Sequence, residues 1–107
     1  MTLLEKSFRE LETMTEEVAY RFFLAKKIIQ CIKNNDLVKE NDSAYKAYLL
    51  KVETAYQALD VRGRNLINNE FFFQNYQNWW IGLYSKTNFY RLKKRTMLQF
   101  LEGIYDA

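Results

Sequence analysis

Between Tyr84 and Arg95 the chain reads YSKTNFYRLKKR, with five bases, Lys86, Arg91, Lys93, Lys94 and Arg95, and no acid before Glu102. Unopposed ammonium and guanidinium groups attract polyanions, and arginine presents a fork that matches phosphate oxygens or a guanine edge. Other chemistry has little to work with. There is no histidine, so the ordinary proton shuttle near neutral pH is missing. The lone cysteine, Cys31, lies in an apolar stripe and reads as a small hydrophobe, although Lys33 nearby could lower its pKa. Glu10, Glu12, Glu16 and Glu17 lack the loop spacing of a cation site and suit capping or solvation. With three glycines, none grouped, no phosphate-cradling loop exists. We therefore expect neither an enzyme nor a metal or cofactor site.

The charge distribution sharpens this. Residues 1–60 carry nine Lys/Arg against ten Asp/Glu, whereas residues 61–107 carry seven against three. A net of −1 thus faces a net of +4, and the positive field belongs to the C-terminal half, where phosphates would be held in a salt-dependent way. At 107 residues the chain suits a single domain, with roughly 60 to 70% of its extended surface buried on folding. One cysteine allows no internal disulfide, Glu5 and Glu10 interrupt any leader-like run, and no apolar stretch approaches membrane-spanning length. The expectation is a soluble protein of a reducing cytoplasm with no membrane partner.

The elements that position the bases are helical. Proline is absent and turn glycines are few, while the eight tyrosines and eight phenylalanines recur at helical spacing. Leu4, Phe8 and Leu11 mark a short first helix. Thr13-Met14-Thr15-Glu16 fits a capping box that would start a second. Its stripe is Val18, Phe22, Ala25, Ile29 and Ile32, ending at Asn34-Asn35-Asp36; core packing is the ordinary reading and dimerisation the other. After a polar connector at Lys39–Ser43, Tyr45, Tyr48, Leu49, Val52, Tyr56 and Leu59 define a third helix capped by Asp42 or Ser43. Asp60 caps a fourth, with Val61, Leu66, Ile67 and Phe71 on its apolar side and Gly63 weakening its first turn by roughly 1 kcal/mol. Phe71-Phe72-Phe73 cannot all face one way. A short segment from Asn75 to Leu83 is anchored by Trp79, Trp80 and Leu83, and Ser85 caps the last helix, Thr87 to about Tyr105. These spacings predict an all-α bundle of five or six helices, with a helical pair over 1–38 and a subdomain over 43–107.

On a helical wheel with Phe89 at zero, Leu92, Thr96 and Phe100, with Met97, Ile104, Tyr90 and Leu101 out to about 120°, share a wide arc expected to be buried. Thr87, Asn88, Arg91, Lys94 and Arg95 fall between about 140° and 260°, a single polar face. Lys93 lies inside the apolar arc near about 40° and must snorkel. Leu98 sits on the polar face, where an internal core explains it least. Bases in the N-terminal half of a helix oppose its dipole, which an external anion would offset.

The segment Trp80-Ile81-Gly82-Leu83-Tyr84-Ser85-Lys86-Thr87-Asn88-Phe89-Tyr90-Arg91-Leu92-Lys93-Lys94-Arg95-Thr96-Met97-Leu98-Gln99-Phe100 resembles the C-terminal helix-turn-helix of bacterial sigma-factor region four. More closely it is similar to the sigma-like phage transcriptional regulators of the ArpU type. The resemblance implies a helix-turn-helix over about 75–105, with Ser85 as turn and cap and Phe89 and Leu92 turned inward. It also implies a DNA-binding set of Ser85, Lys86, Thr87, Asn88, Arg91, Lys94 and Arg95. The chain departs from the family pattern in placing bulky Trp79 and Trp80 where the first helix usually has a small residue, and Gly82 one position before the expected turn glycine.

The function these observations favour is a DNA-binding transcriptional regulator acting on double-stranded DNA. The alternative is a helical interaction module without DNA binding, docking on RNA polymerase or forming a homodimer. That second reading rests on the Val18–Ile32 stripe, Leu98 and the aromatic run at Phe71–Phe73. Stacking of unpaired RNA bases on Tyr84, Tyr90 or Trp80 is a weaker third, because aromatic residues at helical spacing are ordinarily core.

Overall fold

The computed structural model describes residues 2–35, 42–74 and 77–105, the side chains of 32–35 and 42 excepted. A 3-10 turn at Leu3–Glu5 leads into α1 (Phe8–Asn35) and α2 (Asp42–Gln57). Then α3 (Val61–Ile67) runs directly into a π turn (Asn68–Phe72), and α4 (Lys86–Tyr105) follows. The chain is all-α, with no strand among the described residues. It has four α-helices there, rather than five or six.

The first reason for the lower count is that α1 does not break at Thr13. The working capping box lies earlier, at Ser7. Its hydroxyl accepts the Glu10 N–H at 3.1 Å, and Glu10 Oε1 accepts the Ser7 N–H at 3.0 Å. Those bonds to Ser7, backbone first and side chain second, hold the Glu10 carboxyl below its ordinary range. The contribution is therefore present above the unfolded carboxyl pKa and is lost as pH falls through the lower folded value. Thr13 and Thr15 donate instead to the carbonyls of Arg9 and Leu11, four residues back, so both hydroxyls are satisfied inside the helix. Residues 3–35 thus form one turn and one long helix, not a helical pair. Leu4 is exposed, whereas Leu11, Val18, Ala19, Phe22, Ala25 and Ile29 form the buried stripe. The Ile32 side chain and the Lys39–Asn41 part of the connector lie outside the described residues.

In α2, Val52 and Ala55 are buried, and Tyr48 donates its hydroxyl to Val18 O of α1 at 3.3 Å. Burial first, and the nearby Tyr105 second, push the Tyr48 phenol above its ordinary pKa. Asp60 caps α3 as expected, accepting the Gly63 N–H at 2.8 Å. Val61 points to water rather than to the core. Gly63 is buried, and a Cβ there would lie 3.2 Å from both Asp60 Oδ1 and Leu59 Cβ. Its missing side chain lets the cap close and the Thr96 methyl approach, so the first turn is tight.

The π turn distributes the three phenylalanines. Phe71 is buried, while Phe72 stacks on Phe22 of α1 at 5.4 Å and meets Phe100 of α4 edge-on at 6.3 Å. Phe73 is left 62% exposed. Around this core α4 is the central strut, packing against α1, α2 and α3 through Phe89, Leu92, Thr96, Met97, Phe100, Leu101 and Ile104. Leu98 is half-buried against the same core, which corrects its assignment to the solvent face.

Two glycines give opposite expectations. A Cβ on Gly103 would lie 2.9 Å from Ala55 Cβ, where α4 crosses α2, whereas one on Gly82 meets nothing within 4 Å. Overpacking of about 1 to 3 kcal/mol should outweigh the roughly 1 kcal/mol gained in helix propensity. Gly103→Ala should therefore lower the urea-unfolding free energy while Gly82→Ala leaves it within about 0.5 kcal/mol. Phe89→Ala should cost about 3 to 5 kcal/mol in the same assay.

Candidate nucleic-acid interface

Ser85 starts α4 as a true N-cap. Its Oγ accepts the Asn88 N–H at 3.2 Å and its carbonyl accepts the Phe89 N–H at 2.8 Å. What precedes it differs from the expectation. Residues 77–83 form hydrogen-bonded turns, with Trp80 O accepting the N–H groups of both Leu83 and Tyr84 at 2.9 Å. No helix forms over 77–83, and the preceding helical element is α3 with its π turn. The tryptophans explain the difference. Trp80 stacks face to face on Phe89 at 4.4 Å and Trp79 meets the same ring edge-on at 5.8 Å, so both fold back onto α4. Leu83, expected as an anchor, is 68% exposed.

Six of the bases and polar residues from the sequence stand in water on α4: Lys86, Thr87, Asn88, Arg91, Lys94 and Arg95. Five of them, Thr87, Asn88, Arg91, Lys94 and Arg95, share one face because intervals of three and four residues return to the same side of a helix, and Lys86 stands at the helix start, about 80° round the axis from Lys94. Lys86, Arg91 and Lys94 have no ion pair among the described residues. Arg95 does, reaching Asp60 Oδ2 at 3.7 Å, but both groups are well exposed and such a pair is weak.

Lys93 is the larger correction. It does not snorkel; it is only 7% exposed. Its Nζ lies 2.8 Å from Glu12 Oε2 of α1 and 2.8 Å from Glu70 Oε1 of the π turn. The Phe71 and Phe8 rings lie 5.4 and 5.7 Å away. Trp79 completes the network, donating its indole N–H to Glu70 Oε2 at 2.8 Å. Burial alone would lower the ammonium's pKa, yet the bonds and charges of the two carboxylates overcome it and the net shift is upward. Position on the apolar arc signalled that Lys93 was unusual. Nothing local marked Glu12 or Glu70 as its partners.

Among the described residues no group of histidine, cysteine, aspartate or glutamate could hold a metal ion, and no helix is long and apolar enough to cross a membrane. No protein-family model matches the chain, and no curated protein or solved structure does either.

Removing one member of a buried ion pair leaves the others uncompensated, at about 3 to 5 kcal/mol, and partial exposure of Glu12 points to the lower end. Lys93→Met should therefore lower stability by about 3 kcal/mol, and adding Glu12→Gln and Glu70→Gln should restore most of it. Because the folded pKa is raised, the ion pair's contribution is complete below the unfolded lysine value of about 10.4 and is lost as pH rises through the higher folded value. Thermal melts from about pH 9 to 12 should show an alkaline loss in the parent that is absent from Lys93→Met.

Proposed function

We propose that the chain is a DNA-binding transcriptional regulator that holds double-stranded DNA with the exposed face at the start of α4. One observation carries the reading: Arg91 and Lys94 project from one face of a helix whose other side is locked into the core, with Lys86 exposed at the helix start, and no carboxylate is paired to any of the three among the described residues. Such a face enters a duplex without first breaking internal ion pairs, and neutralised phosphates release their condensed counterions. Lys86, Lys94 and Arg95 act on phosphates. Arg91 and Asn88 have the donor geometry for guanine and adenine edges, with Ser85 and Thr87 beside them at the helix start. In a helix-turn-helix of the sigma-region-four kind, α3 with its π turn takes the place of the first helix and α4 that of the second. The connector, residues 73–85, is longer than the three-residue turn of that motif.

The interaction-module alternative draws on residues that the core has largely absorbed. Val18, Phe22, Ala25 and Ile29 are buried, Leu98 is half-buried, and of the three phenylalanines only Phe73 is exposed.

Fluorescence anisotropy on a labelled duplex, repeated across salt concentrations, tests the proposal. Arg91→Ala and Lys94→Ala should each reduce the log–log salt slope by about one. Unfolding free energy should stay within about 0.5 kcal/mol of the parent in both variants. Absence of binding to any duplex at low salt would overturn the reading.

A further inference from the structure

The side of the bundle formed by α1, α2 and the π turn holds a cleft of about 340 Å³. Its walls are aromatic: Phe22, Phe23, Tyr56, Phe72 and Phe73 line it, with Lys26 among them. Phe22 and Phe72 lie nearly parallel, 4° apart, and Phe23 stands edge-on to both. Tyr56 also stacks on Phe72 and Lys26 covers Phe22, so a planar ring entering the cleft is left Phe23, Phe73 and the ring edges to pack against.

Two of the polar groups that line the cleft, Lys26 and Tyr56, are donors with a proton to spare, beside the carboxylate of Glu53 and the amides of Gln57 and Asn68. Lys26 Nζ sits 4.6 Å over the Phe22 ring and 6.0 Å from Phe23, with no ion pair among the described residues. The Tyr56 hydroxyl accepts from Asn68 Nδ2 at 2.7 Å, so its own proton is still to be donated, and no acceptor takes it among the described residues. Two donors lining an aromatic cleft of this size suit a ligand with a flat apolar body and an anionic oxygen pair. We propose that this cleft binds a small aromatic carboxylate, with Lys26 and Tyr56 holding the carboxylate and the phenylalanine rings holding the ring.

Three further features agree. Lys26 already occupies the Phe22 face that an organic cation would need. Phe73 is exposed beside the opening, so a bound ring would cover apolar surface that is otherwise wet. A π turn forms one wall, and widened helical turns of this sort concentrate at functional sites. Glu53 also lines the cleft and gives an α-ammonium a partner, so the carboxylate has two sources, a simple aromatic acid or a free aromatic amino acid. The site lies apart from the basic face of α4 and does not depend on DNA binding.

The test is a titration of the isotope-labelled full chain, followed by amide chemical shifts, with phenylacetate, phenylalanine and phenethylamine in parallel. Phenylacetate should give saturable shifts around Phe22, Tyr56 and Phe72, and phenethylamine should bind more weakly. Lys26→Met, which keeps the aliphatic stem, should weaken phenylacetate by about tenfold or more, and Phe73→Ala should weaken it as well. Both residues are exposed, so neither change threatens the fold. If phenylalanine binds more tightly than phenylacetate and Glu53→Gln removes the difference, the amino acid is the ligand form; equal affinities identify the simple acid. Three results would overturn the proposal: no saturable shift with any carboxylate, phenethylamine binding as tightly as phenylacetate, or unchanged affinity in Lys26→Met.

Discussion

A lysine ammonium buried between two carboxylates sets the geometry of this molecule. Lys93 can leave water only if Glu12 and Glu70 arrive with it, because an unpaired buried charge costs several kcal/mol. That requirement ties together the start of α1, the π turn and the first half of α4. Through the Trp79 indole, Glu70 also holds the turns that lead into the Ser85 cap. The direction in which α4 displays Lys86, Arg91 and Lys94 is thereby fixed from the opposite side of the helix, by a base that itself takes no part in the exposed face.

The π turn is the second constraint. A regular helix continued through Phe71-Phe72-Phe73 would leave the large rings crowded or wet. One widened turn sends Phe71 to the core, Phe72 between Phe22 and Phe100, and Phe73 outward, and it brings Glu70 to Lys93. The ring packing on one side of this turn and the ion network on the other are consequences of the same backbone irregularity. An aromatic cleft and a basic face are thus built from a single small core.

Where the sequence misled, two local patterns were equally good and distant atoms chose between them. Ser7-x-x-Glu10 and Thr13-x-x-Glu16 are both capping boxes, and threonine can cap a helix or bond back into one. Burial of Leu11 and Thr15 within one continuous helix selected the first. Likewise, Trp79 and Trp80 satisfy helical spacing with Leu83, but they gain more by closing on Phe89 than by extending a helix into water.

Periodicity and capping chemistry alone determined the all-helical class, the Asp60 and Ser85 caps, the buried arc of α4 and the shared face of Thr87, Arg91 and Lys94. Each depends on residues within a turn or two of one another, which is the range over which a helix repeats. Tertiary structure alone decided that Lys93 faces inward while Arg91 and Lys94 pair with no carboxylate among the described residues, that Arg95 leans on Asp60, and that Leu98 is covered. The partners of Lys93 lie 81 and 23 residues away, and no local spacing encodes a pairing that exists only once α1, the π turn and α4 are packed together.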